Sequence, residues 1–80
     1  MLNHNHRREQ PVEVQEKRFG YFPKAFRWHG KRYDVQAIER TWARSRRVPR
    51  LYFRVRCRDG IFDLCQDLRA DTWHLNAMRT

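Results

Sequence analysis

The chain alternates between apolar and polar residues with a period of two over most of its length, and turn-forming residues interrupt the alternation. That is the signature of half-buried β-strands. Val12 and Val14 alternate with Glu13 and Gln15, which predicts a first strand at about 12–18. Gly20 to Pro23 is a connection, a second strand follows at about 24–29, and a third begins near Arg32. Gly30-Lys31 fits a two-residue type II′ turn with glycine in the first central place. This register sets Trp28 opposite Tyr33, Phe26 opposite Val35 and Arg27 opposite Asp34, so rings share one face and opposite charges the other. A turn at His29-Gly30 would instead set Arg27 against Arg32, so the first register is preferred.

Residues 35–43 (VQAIERTWA) are ambiguous. Val35, Ile38 and Trp42 fall at helical spacing, but they also fit a strand whose parity shifts at a bulge at Ala37-Ile38. The bent strand is favoured. Arg44 to Arg50 reads as a loop broken by Pro49. Leu51 to Arg58 alternates cleanly: Leu51, Phe53, Val55 and Cys57 face one way, and Tyr52, Arg54, Arg56 and Arg58 the other. Asp59-Gly60 is a type I′ hairpin signal. It predicts Cys57 opposite Phe62, Val55 opposite Leu64, Arg56 opposite Asp63 and Arg54 opposite Cys65. A loop at Leu68 to Asp71 separates a fifth strand at 61–67 from a sixth at 72–78. The matching register pairs Leu64 with Leu75, Phe62 with Ala77 and Gln66 with Trp73, and it sets Cys65 near His74. The expected fold is all-β, or mainly β: a small antiparallel meander of five or six strands curled into a barrel or β roll, so that its apolar face stays dry. Residues 1–10 lack periodicity and read as a flexible polar arm; residues 11–80 form the single domain.

Eighty residues allow one domain, and eleven aromatic residues give it a core without staples. Charge then changes the picture. Lys and Arg number 18 against nine acids, a formal net charge of +9, and 15 of the 18 are Arg. Arginine binds phosphate bidentately and stacks on rings, which lysine does not do. The candidate nucleic-acid-binding residues are Arg27, Arg32, Arg44, Arg46, Arg47, Arg50, Tyr52, Arg54, Arg56 and Arg58, a basic sheet face and loop with an aromatic platform. The bland alternative is a solvated face partly neutralised by Asp34 and Asp63. Trp28, Trp42 and Trp73 are core anchors by default; one exposed beside arginines becomes a stacking candidate.

No catalytic constellation is apparent. Ser45 is the only serine, the carboxylates are scattered, and the three glycines form no phosphate loop. No cofactor or metal is expected: Cys57 and Cys65 fall on opposite faces, there is no CxxC pair, and His4 and His6 lie in the arm. No apolar run is long enough for a membrane helix, and no secretory signal precedes the domain, so a cytoplasmic location is expected.

Certain residues taken together resemble a family of small bacterial domains of unknown function. These domains occur alone and also C-terminal to ImuB-like proteins, the catalytically defective relatives of Y-family DNA polymerases. The residues are Phe26-Arg27-Trp28-His29-Gly30, Tyr33, Val35, Ile38, Trp42, Tyr52-Phe53-Arg54-Val55-Arg56, Asp59-Gly60, Phe62, Leu64, Asp67 and Trp73-His74-Leu75. They span about 11–78. Cys65 stands where the family pattern often has an aromatic. The resemblance implies a link to DNA repair or damage tolerance and a protein partner in such a complex, and it supplies no catalytic residues. Two functions are therefore expected to compete. One is a non-catalytic module that binds DNA or RNA. The other is a protein–protein adaptor that docks an acidic partner or adds a β-strand at an open edge. A homodimer that completes the sheet is compatible with either.

Overall fold

The computed structural model describes residues 10–45 and 47–79. Six strands follow one another: β1 (Gln10–Arg18), β2 (Phe22–Trp28), β3 (Lys31–Ser45), β4 (Pro49–Cys57), β5 (Gly60–Asp67) and β6 (Thr72–Arg79). Each pairs antiparallel with the next, and β6 returns to β1, so the meander closes as a barrel. The described residues contain no helix. Gln10, expected in the arm, belongs to β1, where it pairs with Leu75 and accepts a hydrogen bond from Trp28 Nε1 at 2.9 Å.

Closure depends on two strands that divide their length between their two neighbours. β1 pairs with β6 through Gln10–Val12 and with β2 through Glu13–Arg18. β3 pairs with β2 through Lys31–Asp34 and with β4 from Val35 to Ser45. The 15 residues of β3 would run roughly 50 Å if straight, at about 3.3 Å each. The longest extent of the molecule is 38 Å, so β3 must bend. It does so at two register shifts, between Val35 and Ala37 and between Ile38 and Arg40. The ambiguous segment is therefore strand, with one more bulge than expected. The second shift turns Trp42 outward, opposite Tyr52, while Ile38 stays inward opposite Val55.

Two hairpin registers differ from expectation in the same way. The β2–β3 turn is His29-Gly30, not Gly30-Lys31; φ is +52° at His29 and +75° at Gly30, as a type I′ turn requires. Trp28 pairs with Lys31, Arg27 with Arg32 and Phe26 with Tyr33. Histidine tolerates the left-handed region better than most residues, and its ring stacks on Trp28 at 4.2 Å. The disfavoured Arg27–Arg32 opposition is relieved because Arg32 bonds Glu16 at 3.0 Å and Asp34 at 3.1 Å. Phe26 gains Tyr33, stacked at 5.1 Å and 10°.

In the β4–β5 hairpin the corner is Arg58-Asp59, not Asp59-Gly60, and Cys57 pairs with Gly60. Val55 thus meets Phe62, Phe53 meets Leu64, Arg54 meets Asp63 and Tyr52 meets Cys65. Gly60 sits at φ +146°, and a Cβ there would lie 3.3 Å from the Arg79 carbonyl oxygen. Its glycine thus serves a close strand crossing and not the centre of the turn. Between β5 and β6, Leu64–Leu75 and Gln66–Trp73 pair as expected, but a shift after Asp63 sets Phe62 against Met78 instead of Ala77. The expected 44–50 loop is also shorter: Arg44 pairs with Arg50 and Ser45 with Pro49 across the β3–β4 ladder.

Each hairpin slid by two residues keeps every side chain on its face. Apart from Trp42, which the second β3 bulge turns outward, the inward set is accordingly the expected one. Phe26, Phe53, Val55, Cys57, Phe62, Leu64, Trp73 and Leu75 form the core, with Val12, Val14, Phe22, Tyr33, Val35 and Ile38 packed on it.

Candidate nucleic-acid interface

The β3–β4 ladder puts a patterned array on the outside of the barrel. Beyond its second bulge β3 presents Arg40, Trp42 and Arg44; β4 opposes them with Arg54, Tyr52 and Arg50 in turn. The central pair is stacked, with ring centroids 5.2 Å apart and planes 8° apart. Guanidinium groups lie over both rings: Arg40 4.9 Å and Arg54 5.5 Å from Trp42, and Arg44 5.5 Å from Tyr52. Trp42 is half-exposed while Tyr52 is buried beneath the array. Burial pushes the Tyr52 pKa up, with Cys65 beside it adding to the rise; the hydrogen-bonding Arg50 works against both.

Like charges directly opposite in a ladder are unfavourable. On β4 the next strand offsets them. Asp63 is 2% exposed and accepts from Arg54 Nε at 2.8 Å, Arg54 Nη2 at 3.2 Å and Arg79 Nη2 at 3.0 Å. Burial alone would raise the Asp63 pKa, but the hydrogen bonds from Arg54 and Arg79 outweigh it and hold the carboxyl below its usual range. Asp67 pairs with Arg50 in the β4–β5 ladder. Beyond the second bulge of β3 the arginines lack such partners: among the described residues Arg40 and Arg44 form no ion pair. Their positive charge is left on the surface, held in place by rings.

The other candidates divide around this array. Arg44, Arg47, Arg50 and Tyr52 line a groove at one end of β4, and Arg47 is exposed. Arg46 lies outside the described residues. Arg56, exposed, is engaged by Glu39 at 3.2 Å. Arg58 lines a different groove at the far end with Arg32, Asp34 and Asp59, where Lys31 bonds Asp59 at 2.7 Å. The nine residues of β4 separate these ends by roughly 27–30 Å. Arg27 is exposed on β2, opposite Arg32, so this pair belongs to the β2–β3 ladder and not to the Trp42 array. The basic face is thus two clusters, and in the one around Trp42 arginines that form no ion pair among the described residues lie over a stacked aromatic pair.

Arg40 escapes the sequence reading, and Trp42 enters it as a core anchor by default that becomes a stacking candidate only if exposed beside arginines. The available signal was the R-x-W-x-R spacing at 40–44, which puts three residues on one strand face once a bulge at Glu39 is allowed.

Cys57 and Cys65 are buried and not disulfide-bonded, and among the described residues no group of three His, Cys, Asp or Glu side chains could hold a metal. Cys65 does lie opposite His74. Burial pushes the Cys57 thiol up to about 11, so it is protonated at neutral pH. No helix among the described residues is long and apolar enough to cross a membrane. Fold and surface together define a small closed β-barrel with an arginine–aromatic array on one outer face. Comparison with known protein families, curated proteins and solved structures finds no match to the chain.

Proposed function

We propose that this protein is a non-catalytic nucleic-acid-binding module whose interface is the Arg40–Trp42–Arg44 row of β3 together with Tyr52 and Arg47. The observation that carries the reading is the pair of unneutralised arginines laid over a stacked Trp–Tyr platform. A structural role would favour carboxylate partners of the kind Asp63 provides on the neighbouring strand. Phosphate supplies the missing anion, and the partly exposed Trp42 ring, backed by Tyr52, offers a surface for a base. The association with DNA damage tolerance implied by the family resemblance, and a protein partner in such a complex, belong to the same proposal.

The competing adaptor reading is weakened in its strand-addition form, because the six strands close into a ring. The sheet closes within one chain, so a second copy is not needed to complete it.

The test is fluorescence anisotropy with labelled DNA and RNA, at low and near-physiological salt. Binding should survive at the higher salt. Changing Arg40 and Arg44 together to Gln should weaken it and lower the slope of log K against log salt by about 1.4 for a single strand. Arg54 is unsuitable for this purpose because it supports Asp63. Unchanged affinity and slope in the double variant would sink the proposal.

A further inference from the structure

The tip of the β1–β2 hairpin carries a residue that its own fold does not explain. Phe19 is 86% exposed and sits at φ +57°, followed by Gly20 at +65°. A turn with two positive φ values calls for Asn, Asp or Gly, and a bulky residue there is an outlier. The hairpin needs only the backbone, where Tyr21 N–H donates to the Arg18 carbonyl at 3.1 Å. The Phe19 ring meets no other aromatic ring among the described residues; only the Arg18 guanidinium lies over it, at 5.9 Å. Strain of this kind persists where a side chain is used for something outside the fold.

Beside this tip is a cleft of about 330 Å³. It opens where β3 leaves β2: the β2–β3 ladder covers only Ala25–Trp28, and Phe22 and Pro23 on one strand stand apart from Val35 and Ile38 on the other. Its lining also includes Arg18 and Lys24, exposed cations with no carboxylate partner among the described residues. An apolar slot lined in part by unpaired cations complements a flat ring attached to a phosphate. Ile38, at one side of the cleft, precedes Arg40 by two residues on β3.

We infer that the ligand is single-stranded nucleic acid, that Phe19 stacks on an unpaired base, and that the adjoining cleft receives its neighbour. This rests on the nucleic-acid reading above and narrows it. Bases in a duplex are already stacked and paired, and an exposed ring with an apolar slot offers them little. Unpaired bases present free faces to both.

The experiment compares wild type, Phe19→Asn and Phe19→Trp against a labelled oligothymidylate, its duplex with oligoadenylate, and oligouridylate. Asparagine suits the left-handed position, so F19N should fold with an unchanged or higher thermal midpoint. It should bind the single strands roughly 5- to 100-fold more weakly while duplex binding stays as in wild type. F19W should retain single-strand affinity, with its fluorescence quenched on binding. If F19N binds single strands as wild type does while Arg40→Gln with Arg44→Gln loses affinity, the stacking finger is wrong and the interface stands. Equal loss on duplex and single strand would overturn the strand preference. Absence of salt-sensitive binding by wild type would remove the interface and this inference together.

Discussion

The β4–β5 and β1–β2 hairpins are built from similar alternating strands, yet they are buried to very different degrees. Five consecutive residues of β5, Phe62 to Gln66, are buried, including the outward Asp63 and Cys65. In β1 only Val12 and Val14 reach even partial burial. The cause is neighbourhood. β4 and β5 pair with each other without a register shift and are flanked along their lengths by β3 and β6, and long side chains roof their outer face: Trp42 on Tyr52, Arg54 and Arg79 on Asp63. β1 divides its length between two partners and has no such roof. Stability is therefore concentrated in β4–β5, leaving the β1–β2 tip able to carry an exposed, strained phenylalanine.

The largest contrast should come from the core. Phe53 is fully buried and meets Tyr21 and Phe22 edge-on, with Trp73 tilted against it. Phe53→Ala should cost about 3–5 kcal/mol, much of the stability of a domain this small. Val14→Ala, half-buried on β1, should cost about 1 kcal/mol. Urea unfolding of the two variants measures the gap, and equal costs would break the comparison.

The roof itself is tested by Asp63. Asp63→Ala should cost about 2–3 kcal/mol, below the figure for a fully buried pair because Arg54 and Arg79 are 23% and 50% exposed. The folded carboxyl releases its proton more readily than the unfolded one. Its contribution is thus complete above the ordinary value of 3.8 and is lost as pH falls through the lower folded value. Asp63→Asn should flatten the acid limb of the stability profile. Cys57 acts at the other extreme. Its folded thiol binds a proton more tightly, so its contribution is present below 9.0 and disappears as pH rises toward about 11.

Glycine substitutions give a smaller contrast. Gly60→Ala forces a Cβ within 3.3 Å of a β6 carbonyl at φ +146°, and should cost about 2 kcal/mol. Gly20→Ala meets open space and suffers only from its φ of +65°, about 1 kcal/mol. Similar thermal midpoints for the two would place Gly60 back in an ordinary turn.

These glycines also mark where the sequence was readable. Inward and outward faces were legible except beyond the second bulge of β3, because period-two alternation survives a two-residue slide. Cross-strand partners were not. Asp59-Gly60 looks like a type I′ turn, and only the approach of β6, distant in sequence, explains its glycine otherwise. His29 is an uncommon type I′ residue whose choice depends on Trp28 and on Glu16 being available to Arg32. The site suffered most from the second bulge at Glu39, because that bulge decides whether Trp42 points into the core or out among arginines.

The smallest expected effect on stability falls where the largest effect on binding is expected. Arg40 and Arg44 oppose Arg54 and Arg50 across the ladder, and no carboxylate among the described residues pairs with Arg40 or Arg44. Changing both to Gln removes two like-charge oppositions and two cation–π contacts, effects of comparable size and opposite sign. Net stability should therefore move by no more than about 0.5 kcal/mol, in the stabilising direction at low salt, where the repulsion is least screened. A substantial loss of stability in urea would mean that these arginines hold the barrel together and would return them to the structural side of the comparison. A neutral or stabilising result, together with weakened nucleic-acid binding, would mean that the β3–β4 array maintains charge repulsion that the fold does not need and an anionic ligand relieves.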